Sequence, residues 1–153
     1  MGDDGPVIFT IGYQGRSVDE LIAELTAREI ATVLDIRENP RSRKPGFSGK
    51  QLAAALEAAG IGYRHLQILG TPAPLREDYR ATGDLAALFA GYRAYLAGQP
   101  TAAQQVADSA AAARVVLFCF ERDPAECHRS VLVGVLRERF GIGAVTFDRR
   151  LLA

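Results

Sequence analysis

The sequence of 153 residues is poor in several residue types, and each shortage excludes a class of protein. Basic and acidic side chains number 18 each, so the net charge is zero and a generally basic nucleic-acid coat protein is excluded. Only Lys44 and Lys50 are lysines, so arginine supplies most of the positive charge. The planar guanidinium group of arginine can donate two hydrogen bonds to one phosphate or carboxylate. The longest apolar run, Val115 to Phe120, is far shorter than the roughly 20 residues of a membrane-spanning helix. We therefore expect no membrane partner.

Cysteine and histidine are also scarce, with two of each. Cys119 and Cys127 lie eight positions apart without a CxxC pair, and no zinc-finger spacing is present, so we expect no metal and no cofactor. The acidic N-terminus is not followed by a long apolar segment, which indicates no secretory signal. We therefore expect a cytoplasmic protein in which the two cysteines remain unbridged thiols.

Short β-branched runs alternate with amphipathic helical patterns along the chain. The pattern predicts one α/β domain over residues 1–153, with a mainly parallel sheet of about five strands and helices on both faces. Gly70 to Gly83 contains Pro72 and Pro74 and is interpreted as a long loop. The predicted strands are Val7–Ile11, Thr32–Ile36, Ile61–Leu66, Arg114–Phe120 and Val145–Phe147.

A basic loop follows the second predicted strand. The segment from Arg37 to Lys50 has no periodicity and carries five basic residues against one acid, Glu38. Because it leaves the carboxyl end of a strand, where open α/β sheets bind ligands, we expect Arg37, Arg41 and Arg43 to bind phosphate. The alternative is a solvated loop whose charges serve solubility.

A second polar segment leads from the fourth strand into the last predicted helix. Asp123, Pro124 and Glu126 have the order typical of a helix start, where free N–H groups favour anions. We expect Arg129 to bind such an anion. Cys127 and His128 are predicted to face the sheet from the first turn of this helix. The helix N-terminus and the adjacent histidine are both expected to lower the pKa of the Cys127 thiol. The alternative is a buried cysteine beside a hydrogen-bonded histidine.

Two carboxylates complete the expected catalytic group. Asp35 and Glu121 follow strands, so we expect both to approach His128 and, with Cys127, to form the catalytic residues. Tyr13 and Gln14, in a glycine-flanked turn, and His65, at a strand end, are expected to line the substrate. For Tyr13, stacking on a ligand ring and covering the sheet edge remain equal alternatives. The turn is not a dinucleotide fingerprint, because GxGxxG is absent.

These motifs together resemble the DUF488 family, small bacterial and archaeal proteins of unknown function. The resemblance runs from residue 9 to about residue 140, and it implies an α/β fold with one shared polar site, but no reaction. The chain departs from the family at Tyr13, where histidine is frequent, and at Thr71, where a second glycine is frequent. The matching pieces are Phe9–Tyr13, Val33–Arg37 with Pro40, Ser42 and Arg43, Pro45–Phe47, Gly60–Tyr63 and the Cys119-x-Glu121-x-Asp123-Pro124-x-x-Cys127-His128-Arg129 motif.

The function expected from these residues is that of a hydrolase acting on a phosphate-containing substrate. A nucleotide or nucleic acid fits best, with cleavage of an N-glycosidic or phosphoester bond. One alternative is a non-catalytic module that binds a nucleotide or a partner protein. A second is Cys-dependent sulfur or phosphoryl transfer, which the acidic residues after Cys119 disfavour because they oppose a thiolate.

Overall fold

The computed structural model describes residues 6–147, which form a three-layer α/β arrangement. Every strand pairing in the sheet is parallel, and the strand order is β3-β2-β4-β1-β5. This arrangement confirms the predicted fold class. The strands are β1 (Val7–Gly12), β2 (Thr32–Asp35), β3 (Gly62–His65), β4 (Val115–Cys119) and β5 (Gly143–Thr146).

Within residues 6–147, six α-helices and two short 3-10 helices connect the strands. Ser17 and Glu20 form a capping box at the start of the first helix: the Ser17 hydroxyl accepts from the Glu20 N–H, and the Glu20 carboxylate accepts from the Ser17 N–H. The α-helices are α1 (Val18–Ala27), α2 (Gly49–Ala58), α3 (Ala73–Thr82), α4 (Leu85–Ala97), α5 (Pro100–Ala112) and α6 (Arg129–Phe140), and the 3-10 helices are Gln67–Leu69 and Pro124–Glu126.

The sheet has an apolar core on each face. In β4 every residue is buried, as expected for a central strand with helices on both sides. Val115 and Leu117 pack with apolar side chains of α4, α5 and α6, whereas Val116 and Phe118 pack with those of α1 and α2. The alternation follows from the two-residue period of a strand.

Two connections differ from the prediction. The segment expected as a loop from Gly70 to Gly83 contains α3, which ends at Gly83 in the left-handed conformation typical of a helix C-terminus. The signals at Asp123 and Pro124 start only a 3-10 turn; Cys127 is then extended, and α6 begins at Arg129. Cys127 and His128 therefore precede the helix instead of forming its first turn.

None of the helices in the part of the chain that the structure describes is long and apolar enough to cross a bilayer. The carboxyl ends of the strands share one edge of the sheet, which brings together the segments after β1, β2 and β4. The candidate site lies there.

Candidate functional site at the carboxyl edge of the sheet

A cleft of about 410 Å³ opens at this edge, and we call it the edge cleft. Segments that are far apart in sequence line it: the turn after β1, the loop after β2, helix α3 and the stretch after β4. Of the predicted site residues, it contains Tyr13, Arg37, Arg41, Glu121 and His128. The other predicted site residues are not among its lining residues: Gln14, Asp35, Arg43, His65, Cys127 and Arg129.

Asp35 and Arg37 form a buried ion pair beneath the cleft. Arg37 donates from Nε to Oδ1 of Asp35 at 2.9 Å and from Nη2 to Oδ2 at 2.6 Å, and its third nitrogen, Nη1, donates to the Phe47 carbonyl at 2.8 Å. Tyr63 donates its hydroxyl hydrogen to Oδ2 of Asp35 at 2.6 Å. Burial opposes the charge of Arg37, but its hydrogen bonds and attraction to Asp35 prevail and raise the pKa of Arg37. Burial, with the hydrogen bond to Asp35, also raises the pKa of Tyr63.

These contacts change what Asp35 and Arg37 can do. Asp35 is fully buried and accepts from two side chains and from the Arg37 backbone N–H, so its oxygens are occupied by protein donors. Arg37 is 7% exposed, with each of its nitrogens already donating to a protein oxygen. The pair holds β2, β3 and the basic loop together.

The predicted substrate-lining residues also make structural contacts. Tyr13 is 3% exposed and stacks between the rings of Phe47 and Phe118, with centroids 4.5 and 5.2 Å away. The Gln14 side-chain oxygen accepts from the Arg122 N–H, and His65 Nε2 lies 2.7 Å from the Arg37 carbonyl. Of the two alternatives for Tyr13, the structure places its ring among protein rings at the sheet edge.

Arg129 is fully buried away from the edge cleft. Its Nη2 donates to the carbonyls of Glu121 and Arg122, both at 2.9 Å, and its Nη1 donates to the Thr10 hydroxyl at 3.3 Å. The turn that Arg129 binds packs closely against Gly12, at the end of β1. A Cβ atom on Gly12 would lie only 1.7 Å from the Glu121 carbonyl oxygen. Arg129 thus fixes the backbone that presents Glu121.

Glu121 is the carboxylate that the fourth strand delivers to the cleft. It is half-buried, and within residues 6–147 its carboxylate joins no ion pair. Burial raises the pKa of Glu121, while its own backbone N–H and the charge of Arg129 act in the opposite direction. Glu121 is therefore a carboxylate at the cleft without an ion-pair partner in the described part of the chain.

The cysteines overturn one expectation. The structure joins Cys119 and Cys127 in a disulfide, so the prediction of unbridged thiols is wrong, and neither sulfur is free in this state to act as a nucleophile. The reason is the extended conformation of Cys127, which precedes α6 and brings its side chain to the end of β4. His128 follows, with Nε2 2.9 Å from the Ile36 carbonyl, and burial lowers its pKa to about 4.

Helix α3 contributes cleft residues that the sequence reasoning missed. Arg76, Tyr79 and Arg80 line the cleft from one face of α3. Arg76 is bound to the Glu38 carboxylate at 2.6 Å, whereas Arg80 has no ion-pair partner among residues 6–147. Their i, i+3 and i+4 spacing and the glycine at position 83 were the available signals.

A second pocket, which we call the basic groove, adjoins the edge cleft and is open to solvent. Its volume is about 950 Å³, and the two pockets share Asn39 and Arg41. Its charged lining residues are Arg41, Arg43 and Lys50, with no carboxylate among the lining residues described. The first residues of α2 line it too, and Ser48 makes no side-chain cap there.

A family model described as "Domain of unknown function DUF488" matches residues 17–136, and the chain therefore belongs to that family. No curated protein and no solved structure matches the chain significantly.

Proposed function

We propose that this DUF488 protein binds a phosphate-bearing ligand across the basic groove and the edge cleft, with an oligonucleotide favoured over a free nucleotide. The observation that carries the proposal is the shared wall of the two pockets at Asn39 and Arg41. A chain of phosphates can follow the groove while an attached base enters the cleft. A single nucleotide would fill only one of the two.

The groove supplies the phosphate contacts. Arg41, Arg43 and Lys50 are exposed cations, and within residues 6–147 none of them forms an ion pair. The N-terminal turn of α2 adds backbone N–H groups and the positive end of a helix dipole to the same surface. Arginine forks and helix-end N–H groups together favour phosphate oxygens over neutral ligands.

The cleft supplies a surface for a planar group. Phe120 is 42% exposed and Tyr79 is 38% exposed, and both line the cleft. Exposed aromatic rings beside arginines are typical of sites that stack nucleobases, where stacking contributes about 1–3 kcal/mol per base. Phe120 is held by an edge-to-face contact with the buried ring of Tyr13 at 5.3 Å.

Hydrolysis is the second step that we propose, and the placement of Glu121 favours it. Glu121 lines the cleft and joins no ion pair within residues 6–147, whereas Asp35 and Glu38 are bound to arginines. A carboxylate in this position can transfer a proton to a leaving oxygen or nitrogen, or from an attacking water. N-glycosidic and phosphoester bonds are the substrates that this role fits.

Binding is tested with a fluorescein-labelled single-stranded oligodeoxythymidine and with AMP, by fluorescence anisotropy and calorimetry. Arg41→Ala and Arg43→Ala should each weaken oligonucleotide binding by about tenfold or more, because a hydrogen bond to a charged group contributes about 1.5–3 kcal/mol. Phe120→Ala should weaken the binding of both the oligonucleotide and AMP, whereas Arg43→Ala should change the affinity for AMP little.

Arg139→Ala is the matched control, because Arg139 is an exposed arginine at the far end of α6. If Arg139→Ala weakens binding as much as Arg41→Ala does, the attraction is diffuse surface charge and the proposed site is wrong. If neither probe binds the unaltered protein, the proposal is wrong as a whole.

Catalysis is tested with Glu121→Gln, which keeps the size of the side chain and removes its ability to exchange a proton. Cleavage of the oligonucleotide, followed by mass spectrometry of the products, should be lost while its affinity stays within about twofold. If the unaltered protein binds the oligonucleotide but does not cleave it, the proposed hydrolysis is refuted and the protein is a binding module.

A further inference from the structure

Three potential metal ligands converge at the floor of the edge cleft. The Sγ atoms of Cys119 and Cys127 and a ring nitrogen of His128 all lie within 4.8 Å of one another. Both cysteines are about 1% exposed, so the group is held by the core and not by a mobile surface segment. The chain has only two cysteines and two histidines, and this cluster takes three of the four.

The hydrogen bond of His128 fixes which ring nitrogen carries its lone pair. Nε2 lies 2.9 Å from the Ile36 carbonyl oxygen, which can only accept, so Nε2 carries the hydrogen. Nδ1 is then the nitrogen with the lone pair, and it lies 3.6 Å from the Cys127 sulfur. Metal-bound histidines almost always donate their other N–H to a carbonyl or carboxylate in this way.

The surroundings also suit thiolate ligands. The Arg129 backbone N–H points at the Cys127 sulfur at 3.5 Å, and an N–H donor to sulfur stabilises negative charge there. The Arg129 guanidinium nearby is a buried cation. The Cα atoms of the two cysteines are 7.6 Å apart, beyond the about 4.4–6.8 Å usual for a disulfide, and this spacing accommodates an ion between two thiolates.

The cluster faces the cleft on one side. Cys119 and His128 are lining residues of the cleft, whereas Cys127 is not. Three protein ligands with the fourth position open to a cleft is the arrangement of catalytic zinc sites, in contrast to the four protein ligands of structural ones.

We propose that the reduced protein binds one zinc-type divalent cation through Cys119, Cys127 and Nδ1 of His128, with its open position toward the edge cleft. Reduction breaks the S–S bond: a dithiol gives two electrons and two protons, which yields two protein thiols and one cyclic disulfide of the reductant. Metal binding then displaces the two thiol protons. This inference does not depend on the ligand or the reaction proposed above.

The test is a titration of the reduced, metal-free chain with Co²⁺ in the absence of oxygen, after removal of dithiothreitol. One equivalent should produce thiolate-to-cobalt charge-transfer absorption with the intense visible bands of a four-coordinate ion, and one equivalent of Zn²⁺ should abolish both. Counting with a thiol reagent should give two reactive cysteines in the metal-free protein and protection of both by Zn²⁺. These measurements need no substrate, so they are independent of the proposed function.

Two histidine variants provide the matched comparison. His128→Gln should weaken Co²⁺ binding by about 100-fold or more, since even residues behind the ligands change affinity by about 10–100-fold. His65→Gln, which alters the other histidine, should leave binding unchanged. Cys127→Ser, which leaves one thiolate, should weaken Co²⁺ binding and reduce the charge-transfer band at saturation.

The proposal is overturned if the unaltered reduced protein gives no charge-transfer absorption, or if the folded protein resists reduction and the sulfurs stay bonded. It is equally overturned if His128→Gln and His65→Gln bind Co²⁺ alike. Circular dichroism of each variant separates loss of the site from loss of the fold. Should the serine variant not fold, the titration and thiol protection of the unaltered chain decide the matter.

Discussion

Breaking the ion pair between Asp35 and Arg37 on one side should cost far more stability than breaking an exposed pair. Asp35→Asn removes the negative charge that compensates Arg37. It also replaces one carboxylate oxygen, which accepts from Arg37 or Tyr63 in the unaltered protein, with an N–H₂ group that cannot accept. Asp35 is fully buried and Arg37 is 7% exposed, so water cannot replace the lost partner. Breaking a buried pair in this way costs about 3–5 kcal/mol, which is a large share of the about 5–15 kcal/mol of a typical domain.

The matched control is the exposed pair of Arg93 and Glu138. Their nitrogen and oxygen lie 3.1 Å apart, with side chains 52% and 62% exposed. Glu138→Gln should cost no more than about 1 kcal/mol, because solvent and salt screen such pairs. For a chain of this size the Asp35→Asn cost corresponds to a fall in Tm of about 6–20 °C.

Urea unfolding followed by circular dichroism measures both costs, with the denaturant slope serving as a check that the unfolded state is unchanged. The double variant Asp35→Asn with Arg37→Met should be more stable than Asp35→Asn alone, because it removes the uncompensated guanidinium. The reasoning is refuted if Asp35→Asn costs no more than Glu138→Gln, or if the double variant is the less stable of the two.

Two further variants probe the packing that holds the site. Tyr63→Phe deletes one hydrogen bond to the Asp35 carboxylate and should cost about 1.5–3 kcal/mol in the same urea series, with a cost near zero contradicting the role of Tyr63. Gly12→Ala should be strongly destabilising in thermal unfolding, since its Cβ would lie 1.7 Å from the Glu121 carbonyl oxygen. Gly143→Ala, where the nearest atom is 3.9 Å away, is its control, and equal Tm values for the two would contradict this.

The strands could be predicted because their signal is local. Val115 to Cys119 is a continuous apolar run, and such a run is typical of a strand buried on both faces. Helix α3 was missed for a reason that is also local. Pro72 and Pro74 are turn signals, yet Pro72 stands before the first helical residue and Pro74 lies in the first turn, where the missing N–H costs nothing.

The roles of the charged residues depended on contacts between distant segments. The ion pair of Asp35 and Arg37 also depends on Tyr63, in the neighbouring strand, which donates to Asp35, and on the Phe47 carbonyl, which accepts from Arg37. These contacts appear only in the folded chain. The expected absence of a metal site rested on the spacing of Cys119 and Cys127 along the chain. Spacing excludes a zinc finger, but it does not show that Cys119, at the end of β4, lies beside Cys127 and His128, which precede α6.

Burial separates the residues that build this site from those that can meet a ligand. A charge removed from water has to be compensated by the protein, and once it is, few of its hydrogen-bonding positions remain for anything else. Asp35, Arg37 and Arg129 were the most suggestive side chains in the sequence, and they hold the edge of the sheet in place. In the function that we propose, recognition is then left to the residues around them, above all the exposed Arg41 and the half-buried Glu121. A role for either of these should therefore appear in binding or turnover at nearly unchanged stability, whereas every effect of Asp35 on activity should be accompanied by a loss of stability.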